Sequence, residues 1–141
     1  MNRRDFMRIT AAVSLAAPIA FGQRAVAAPL TYQPGMVEAE LAAGKTVFLD
    51  FKASWCSTCA AQERVIAALK AENPAYERAI TFIDVDWDDF GDDALTQRLN
   101  IPRRSTLVVL KGDAELGRIV AGTAKAEIKA LMDLALAGAN A

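Results

Sequence analysis

The chain predicts one α/β domain: a central mixed sheet of four strands, open to a short fifth, with helices on both faces. Three observations lead there. Short β-prone apolar runs alternate with stretches of helical periodicity from about residue 36 onward. The only two cysteines form Cys56-Ser57-Thr58-Cys59 where one such run meets a helix-like run. Two strand-like runs near the end flank Gly112-Asp113-Ala114-Glu115, the signature of a hairpin, which mixes antiparallel strands into a sheet otherwise joined through helices.

The elements follow in order. Pro34-Gly35 marks a turn, and Met36 to Ala43 reads as a short helix with Gly44 after its end. Val47 to Ala53 is apolar and β-prone enough for a buried strand. A helix is predicted from Cys56 to about Glu72, with Ala60, Val65, Ala68 and Leu69 on the buried face and Glu63, Arg64 and Lys70 toward water. Asn73-Pro74 ends it, because proline disfavours helical geometry in the preceding residue. Ile80 to Val85 is a second strand, Asp92 to Leu99 a short helix, Thr106 to Lys111 a third strand and Leu116 to Ala121 a fourth. Ala124 to Ala137 closes the chain as an amphipathic helix burying Ile128, Leu131, Met132 and residues 134–136, with Gly138 at its end. Crossovers between parallel strands are expected to be right-handed.

The first residues stand apart. Met1 to Arg8 is basic, Ile9 to Phe21 is a mildly apolar run of 13 residues, and Ala25-Val26-Ala27 is a small-x-small site. This is the order of an export signal, and Arg3-Arg4 followed by Phe6 resembles the twin-arginine type. A membrane-spanning helix needs about 20 apolar residues, so cleavage near Ala28 and no stable membrane insertion are expected. The reading divides the chain into a signal, 1–27, and a domain, 28–141, working in the periplasm. Removing Arg3, Arg4, Arg8, Arg24 and Asp5 from the 16 basic and 17 acidic residues leaves a net charge of −4. That charge offers no basic field for nucleic acid. Two cysteines cannot build a disulfide scaffold, and a chain without histidine has no histidine base, Ser-His-Asp triad or imidazole metal ligand.

A Cys-x-x-Cys at a strand-to-helix junction places one sulfur at a helix N-terminus, where backbone N–H groups and the helix dipole stabilise a thiolate. Cys56 is therefore the candidate nucleophile and Cys59, one turn deeper, the resolving thiol. The element order together with Val47-Phe48-Leu49-Asp50-Phe51-Lys52-Ala53-Ser54-Trp55-Cys56 and Thr106 to Asp113 resembles the thioredoxin family over most of residues 31–138. The wording of the first segment is similar to periplasmic domains of the disulfide-interchange reductase type. The resemblance implies the thioredoxin fold and a thiol–disulfide oxidoreductase that reduces disulfide-bearing periplasmic proteins. It implies no cofactor beyond the redox-active Cys56-Cys59 pair, and a membrane dithiol as electron donor.

Resemblance also supplies roles for single residues. Asp50 matches the family's buried acid, which takes and returns the proton of Cys59 through water. Trp55 and Thr106 match groove and support positions. Lys52 stands where the family often has an aromatic residue; its ammonium would favour the Cys56 thiolate, pair with Asp50, or face solvent. Ser105 replaces the family's cis-proline. A cis bond before a non-proline residue costs roughly 2.5–4 kcal/mol, so a trans Arg104–Ser105 peptide is expected, with an altered substrate groove and a weaker barrier to metal capture. Arg103 and Arg104 would flank the site and favour acidic partners.

Other patterns fail. Gly44-Lys45-Thr46 lacks the first glycine of a phosphate loop and precedes a strand. Asp84-x-Asp86-x-Asp88 has Asp89 and Leu95 where a calcium loop needs glycine and glutamate, so these acids are expected to end a strand and solvate a turn. A closed zinc site needs about four nitrogen or sulfur ligands, and one chain offers two sulfurs. The alternatives left open are a disulfide oxidant or isomerase, and a non-catalytic binding module or metal-bridged dimer.

Overall fold

The computed structural model describes residues 26–141. The expected export signal, residues 1–27, lies outside the described residues except for its last two. The elements are β1 (Leu30–Thr31), α1 (Met36–Ala42), β2 (Thr46–Lys52), α2 (Ser57–Glu72), α3 (Ala75–Ala79), β3 (Ile80–Asp86), α4 (Trp87–Phe90), α5 (Ala94–Arg98), β4 (Thr106–Lys111), β5 (Ala114–Val120) and α6 (Lys125–Ala139). They form a five-stranded sheet in the order β1-β3-β2-β4-β5, in which β1, β3 and β2 run parallel and β4 and β5 antiparallel. This is the thioredoxin fold, with the short fifth strand present as β1. No helix among the described residues is long and apolar enough to cross a membrane.

The period of two along β2 divides its side chains between two cores. Val47, Leu49 and Phe51 join Val37 of α1 and Leu95 of α5 on one face. Phe48 joins Ile66 and Leu69 of α2, Tyr76 of α3, and Ile128, Leu131 and Met132 of α6 on the other. Asp50 and Lys52 share the Phe48 face, so β2, the central strand, carries a carboxylate and an ammonium toward α2.

Several expectations are corrected. The buried stripe of α2 is Cys59, Gln62, Ile66 and Leu69, with Lys70 beside it, whereas Ala68 is exposed. A stripe chosen by apolar character alone passes over Gln62, whose Nε2 finds its partners only in distant backbone. Lys70 is buried with its ammonium over Phe82, Nζ 3.9 Å from the ring centroid. The hairpin turn is only Gly112-Asp113, and β5 begins at Ala114. Gly112 sits at φ 56°, a left-handed conformation that glycine adopts without steric cost. Helix α6 runs through Gly138 to Ala139. Gly138 is no cap: a Cβ there would come within 2.6 Å of Leu116 Cδ1, so it lets α6 approach β5 closely.

Two short helices were not expected. Pro74 begins α3 as well as ending α2, with Asn73 Oδ1 accepting from the Ala75 N–H at 3.1 Å. Asp86 caps α4 by accepting from the Asp88 N–H at 2.8 Å, so the acidic run ends β3 and starts a turn of helix. The following helix, α5, is shorter than expected because Asp93 is its cap, accepting from the Leu95 N–H at 3.1 Å.

Candidate active site

Cys56 is the N-cap of α2. Its backbone is extended (φ −93°, ψ 112°), and its Sγ accepts from the Cys59 N–H at 3.1 Å. The sulfur therefore sits at the electropositive helix end that the strand-to-helix junction implied. Both thiols are free. Cys56 is 5% exposed, more enclosed than expected of an attacking sulfur, because Trp87 packs against Ala53, Cys56 and Cys59.

The loop before β4 closes over the pair. Ser105 is fully buried, and its Oγ lies 3.1 Å from Cys56 Sγ and 3.1 Å from Cys59 Sγ. All peptide bonds among the described residues are trans, and Ser105 itself sits at φ 65°. For a non-glycine residue that conformation costs about 1–2 kcal/mol and persists only where surroundings over-determine it. Here they do. The Ser105 N–H donates to the Phe51 carbonyl at 2.7 Å, and the Ser105 carbonyl accepts from the Ala121 N–H at 2.8 Å and from Gln62 Nε2 at 3.0 Å. Thr106, buried at the start of β4, donates from Oγ1 to the Arg103 carbonyl at 2.8 Å. Thr106 thus supports the loop from within and does not line an open groove.

Gln62 is the residue that sequence reasoning missed. Its Nε2 also donates to the Gly122 carbonyl at 2.9 Å, tying α2 to both loops behind the cysteines. A polar residue three positions after Cys59, on the same helix face, was the available signal. Replacing Gln62 with alanine is expected to lower stability by about 1–3 kcal/mol, read by thermal unfolding, with slower alkylation of Cys56 as the Ser105 loop loosens. Unchanged values in both measurements would show that the amide is dispensable.

Trp55 is 59% exposed beside Cys56. Its Nε1 donates to the Asp88 carboxylate at 3.0–3.1 Å, and the Arg104 guanidinium stacks 4.4 Å from its ring centroid. Arg104 thus flanks the site as expected, while Arg103 turns its Nε to the Arg104 carbonyl at 3.1 Å.

Lys52 makes its direct bonds elsewhere. Its Nζ donates to Glu63 Oε2 at 2.9 Å and to Asp84 Oδ2 at 3.5 Å, bonding neither Asp50 nor Cys56. It is still half-buried and close enough for its charge to be felt at Asp50. The parallel pairing of β2 and β3 sets Asp50 beside Asp84 and Lys52 beside Asp86, so Lys52 reaches Asp84 diagonally across the same face.

The electrostatics separate the two thiols. Burial opposes a Cys56 thiolate, but hydrogen bonds from Cys59, Ser105 and Arg104 outweigh it and bring the thiol down to about 7. Burial, followed by the hydrogen bond with Cys56, pushes Cys59 up. Burial and the neighbouring Asp84 charge push Asp50 up to about 7 against the pull of Lys52. Asp50 is 5% exposed and its Oδ1 has no hydrogen-bond partner among the described residues. A cavity of about 90 Å³ adjoins it, lined by Lys52, Glu63 and Asp84 on the polar side and Phe48, Ile66 and Phe82 on the apolar side. That volume and polarity admit water to the carboxyl. Among the described residues no group of three or more cysteines or carboxylates is placed to hold a metal.

The thioredoxin family model matches residues 30–134, from β1 into α6. A thioredoxin H-type of Oryza sativa subsp. indica is 33% identical over 78 residues, covering 55% of this chain and 59% of that protein. A thioredoxin of Echinococcus granulosus is 29% identical over 96 residues, covering 68% of this chain and 83% of that one. Among solved structures, Trxlp from Edwardsiella tarda superposes with a TM-score of 0.62 at 28% identity, covering 75% of this chain and 96% of that one. The chain thus spans less than two thirds of the rice protein's length and nearly the whole of the bacterial fold. A match running through the sheet, the paired cysteines and the loop that closes on them leads to one conclusion: this chain belongs to the thioredoxin family.

Proposed function

We propose that this chain is an exported thiol–disulfide oxidoreductase that reduces disulfides of partner proteins in the periplasm, with its signal in residues 1–27. The observation that carries the proposal is Cys56 Sγ at the N-terminus of α2, accepting from the Cys59 N–H at 3.1 Å. A sulfur so placed is nucleophilic near neutral pH. The Cys56 thiolate attacks one sulfur of the partner disulfide, a Cys56–partner bond forms, and the other partner sulfur leaves as a thiolate and takes a proton. Asp50, half ionised near pH 7, receives the Cys59 proton through water. The Cys59 thiolate then attacks Cys56 Sγ and the partner leaves as its second thiol. Two electrons pass to the partner, and the Cys56–Cys59 disulfide remains until a membrane dithiol carrier reduces it. No other cofactor is needed.

Trp55, exposed beside the nucleophile, and Arg104 stacked on it offer the partner an aromatic face and a cation. The test is activity in an insulin-type disulfide reduction assay. Cys56→Ser is expected to abolish it, and Cys59→Ser to accumulate partners as mixed disulfides. Full activity in Cys56→Ser would end the proposal. Equilibration of the pair against a glutathione buffer sets direction: a potential near −270 mV marks a reductant and one near about −120 mV an oxidant.

A further inference from the structure

We propose that the Ser105 hydroxyl is a shared hydrogen-bond partner of both reactive sulfurs, giving its one hydrogen to whichever sulfur carries the negative charge. The inference rests on the dithiol chemistry proposed above and assigns a further residue to it. Ser105 Oγ is 3.1 Å from each Sγ, fully buried, and on a backbone pinned from three sides by Phe51, Ala121 and Gln62.

A hydroxyl has one donor hydrogen and two acceptor lone pairs. It can donate to only one sulfur at a time. Before attack, the hydroxyl donates to the Cys56 thiolate, as does the Cys59 S–H. Once Cys56 is bonded to a partner it carries no charge. Cys59 then gives its proton to Asp50 through water, and the hydroxyl rotates to donate to the Cys59 thiolate. That thiolate attacks Cys56 Sγ, the Cys56–partner bond breaks, and the partner sulfur leaves as a thiolate and is protonated. Ser105 keeps its own hydrogen throughout. A hydrogen bond to an ionised acceptor is about twice as strong as one between neutral groups, so a hydrogen that follows the charge favours both half-reactions. A proline side chain at this position has neither donor nor acceptor. The other ionisable groups whose fields reach Cys56 are Cys59 on α2, Arg104 on the same loop and Asp50 on β2.

Two variants separate the hydroxyl from the backbone. Ser105→Ala removes the hydroxyl and keeps the left-handed strain, whereas Ser105→Gly removes both. The pH dependence of Cys56 alkylation and the rate of partner release from a preformed mixed disulfide are measured in each, with Cys56→Ser alongside. In both Ser105 variants the alkylation midpoint is expected to rise by about one pH unit, giving about tenfold less thiolate at pH 6. Partner release is expected to slow by about tenfold. Midpoints and release rates within twofold of the parent, with Cys56→Ser inactive, would overturn the role of Ser105 and leave the oxidoreductase reading standing. A shift in the alanine variant that vanishes in the glycine variant would assign the effect to the backbone and also overturn it. If the alanine variant does not fold, the glycine variant decides alone. Activity surviving in Cys56→Ser would instead remove the parent reading.

Discussion

Asp50→Asn is expected to make the protein more stable above neutral pH while slowing partner release. Burial and the Asp84 charge raise Asp50 to about 7 from the ordinary carboxylate value of 3.8. The folded state thus holds this proton more tightly than the unfolded chain does. Stability contributed by the neutral carboxyl is complete below pH ~4 and is lost as pH rises through about 7. A raised pKa is worth about 1.4 kcal/mol per unit, so an ionised Asp50 destabilises the fold by on the order of 4 kcal/mol above pH 8. Asparagine never ionises and escapes that loss. Denaturant unfolding from pH 4 to pH 9 checks this: the two proteins should match at the acid end, draw apart between about pH 4 and pH 7, and keep a constant gap above pH ~8. The same substitution removes the proton acceptor for Cys59, and release from a mixed disulfide at pH 7 should slow by roughly a hundredfold. Equal stability at pH 9 would show that Asp50 is not held in a raised state.

Phe48→Ala is expected to cost about 3–5 kcal/mol and to lower the midpoint of thermal unfolding by about 15 °C or more. Phe48 is 1% exposed on the central strand and packs a tilted ring on Phe82, centroids 5.1 Å apart. It also walls the cavity beside Asp50. Its removal enlarges that cavity, lets more water reach the carboxyl and should bring Asp50 down from about 7. Leu49→Ala is the control. Leu49 is equally buried but faces the opposite core, so it should cost about 2–5 kcal/mol and leave the Asp50 titration in place. A Phe48→Ala protein with the parent unfolding midpoint, or with Asp50 unmoved, would refute the packing argument or the desolvation argument in turn.

The reach of the sequence reading can be judged residue by residue. Thr106–Lys111 was legible as a strand to the residue because an apolar run stops at a glycine turn. Cys56 was legible as the start of α2 because a β-prone run meets helical spacing there. Asp50 was legible as a buried acid through the family resemblance, in a strand otherwise mostly apolar. The short helices α3 and α4 were not legible. At five and four residues they carry too little periodicity to register, and the Asn73-Pro74 and Asp86 signals that begin them also read as ends of the preceding elements. Ser105 was placed opposite the cysteines by resemblance, but its contact with both sulfurs was not foreseen.

Amphipathic period, turn residues and the cysteine spacing are local properties, and through them the sequence by itself determined the order of the main strands and longer helices and which sulfur caps a helix. Tertiary packing alone decided that Lys52 bonds Glu63 and Asp84, that Lys70 lies on Phe82, that Gln62 ties α2 to two loops and that one hydroxyl reaches both sulfurs. The physical reason is separation along the chain. Ser105 is 49 and 46 residues from the two cysteines, and Gln62 is 43 residues from Ser105. Contacts at that distance arise only when layers of sheet and helix close on one another, and no periodicity within a single element encodes where they meet.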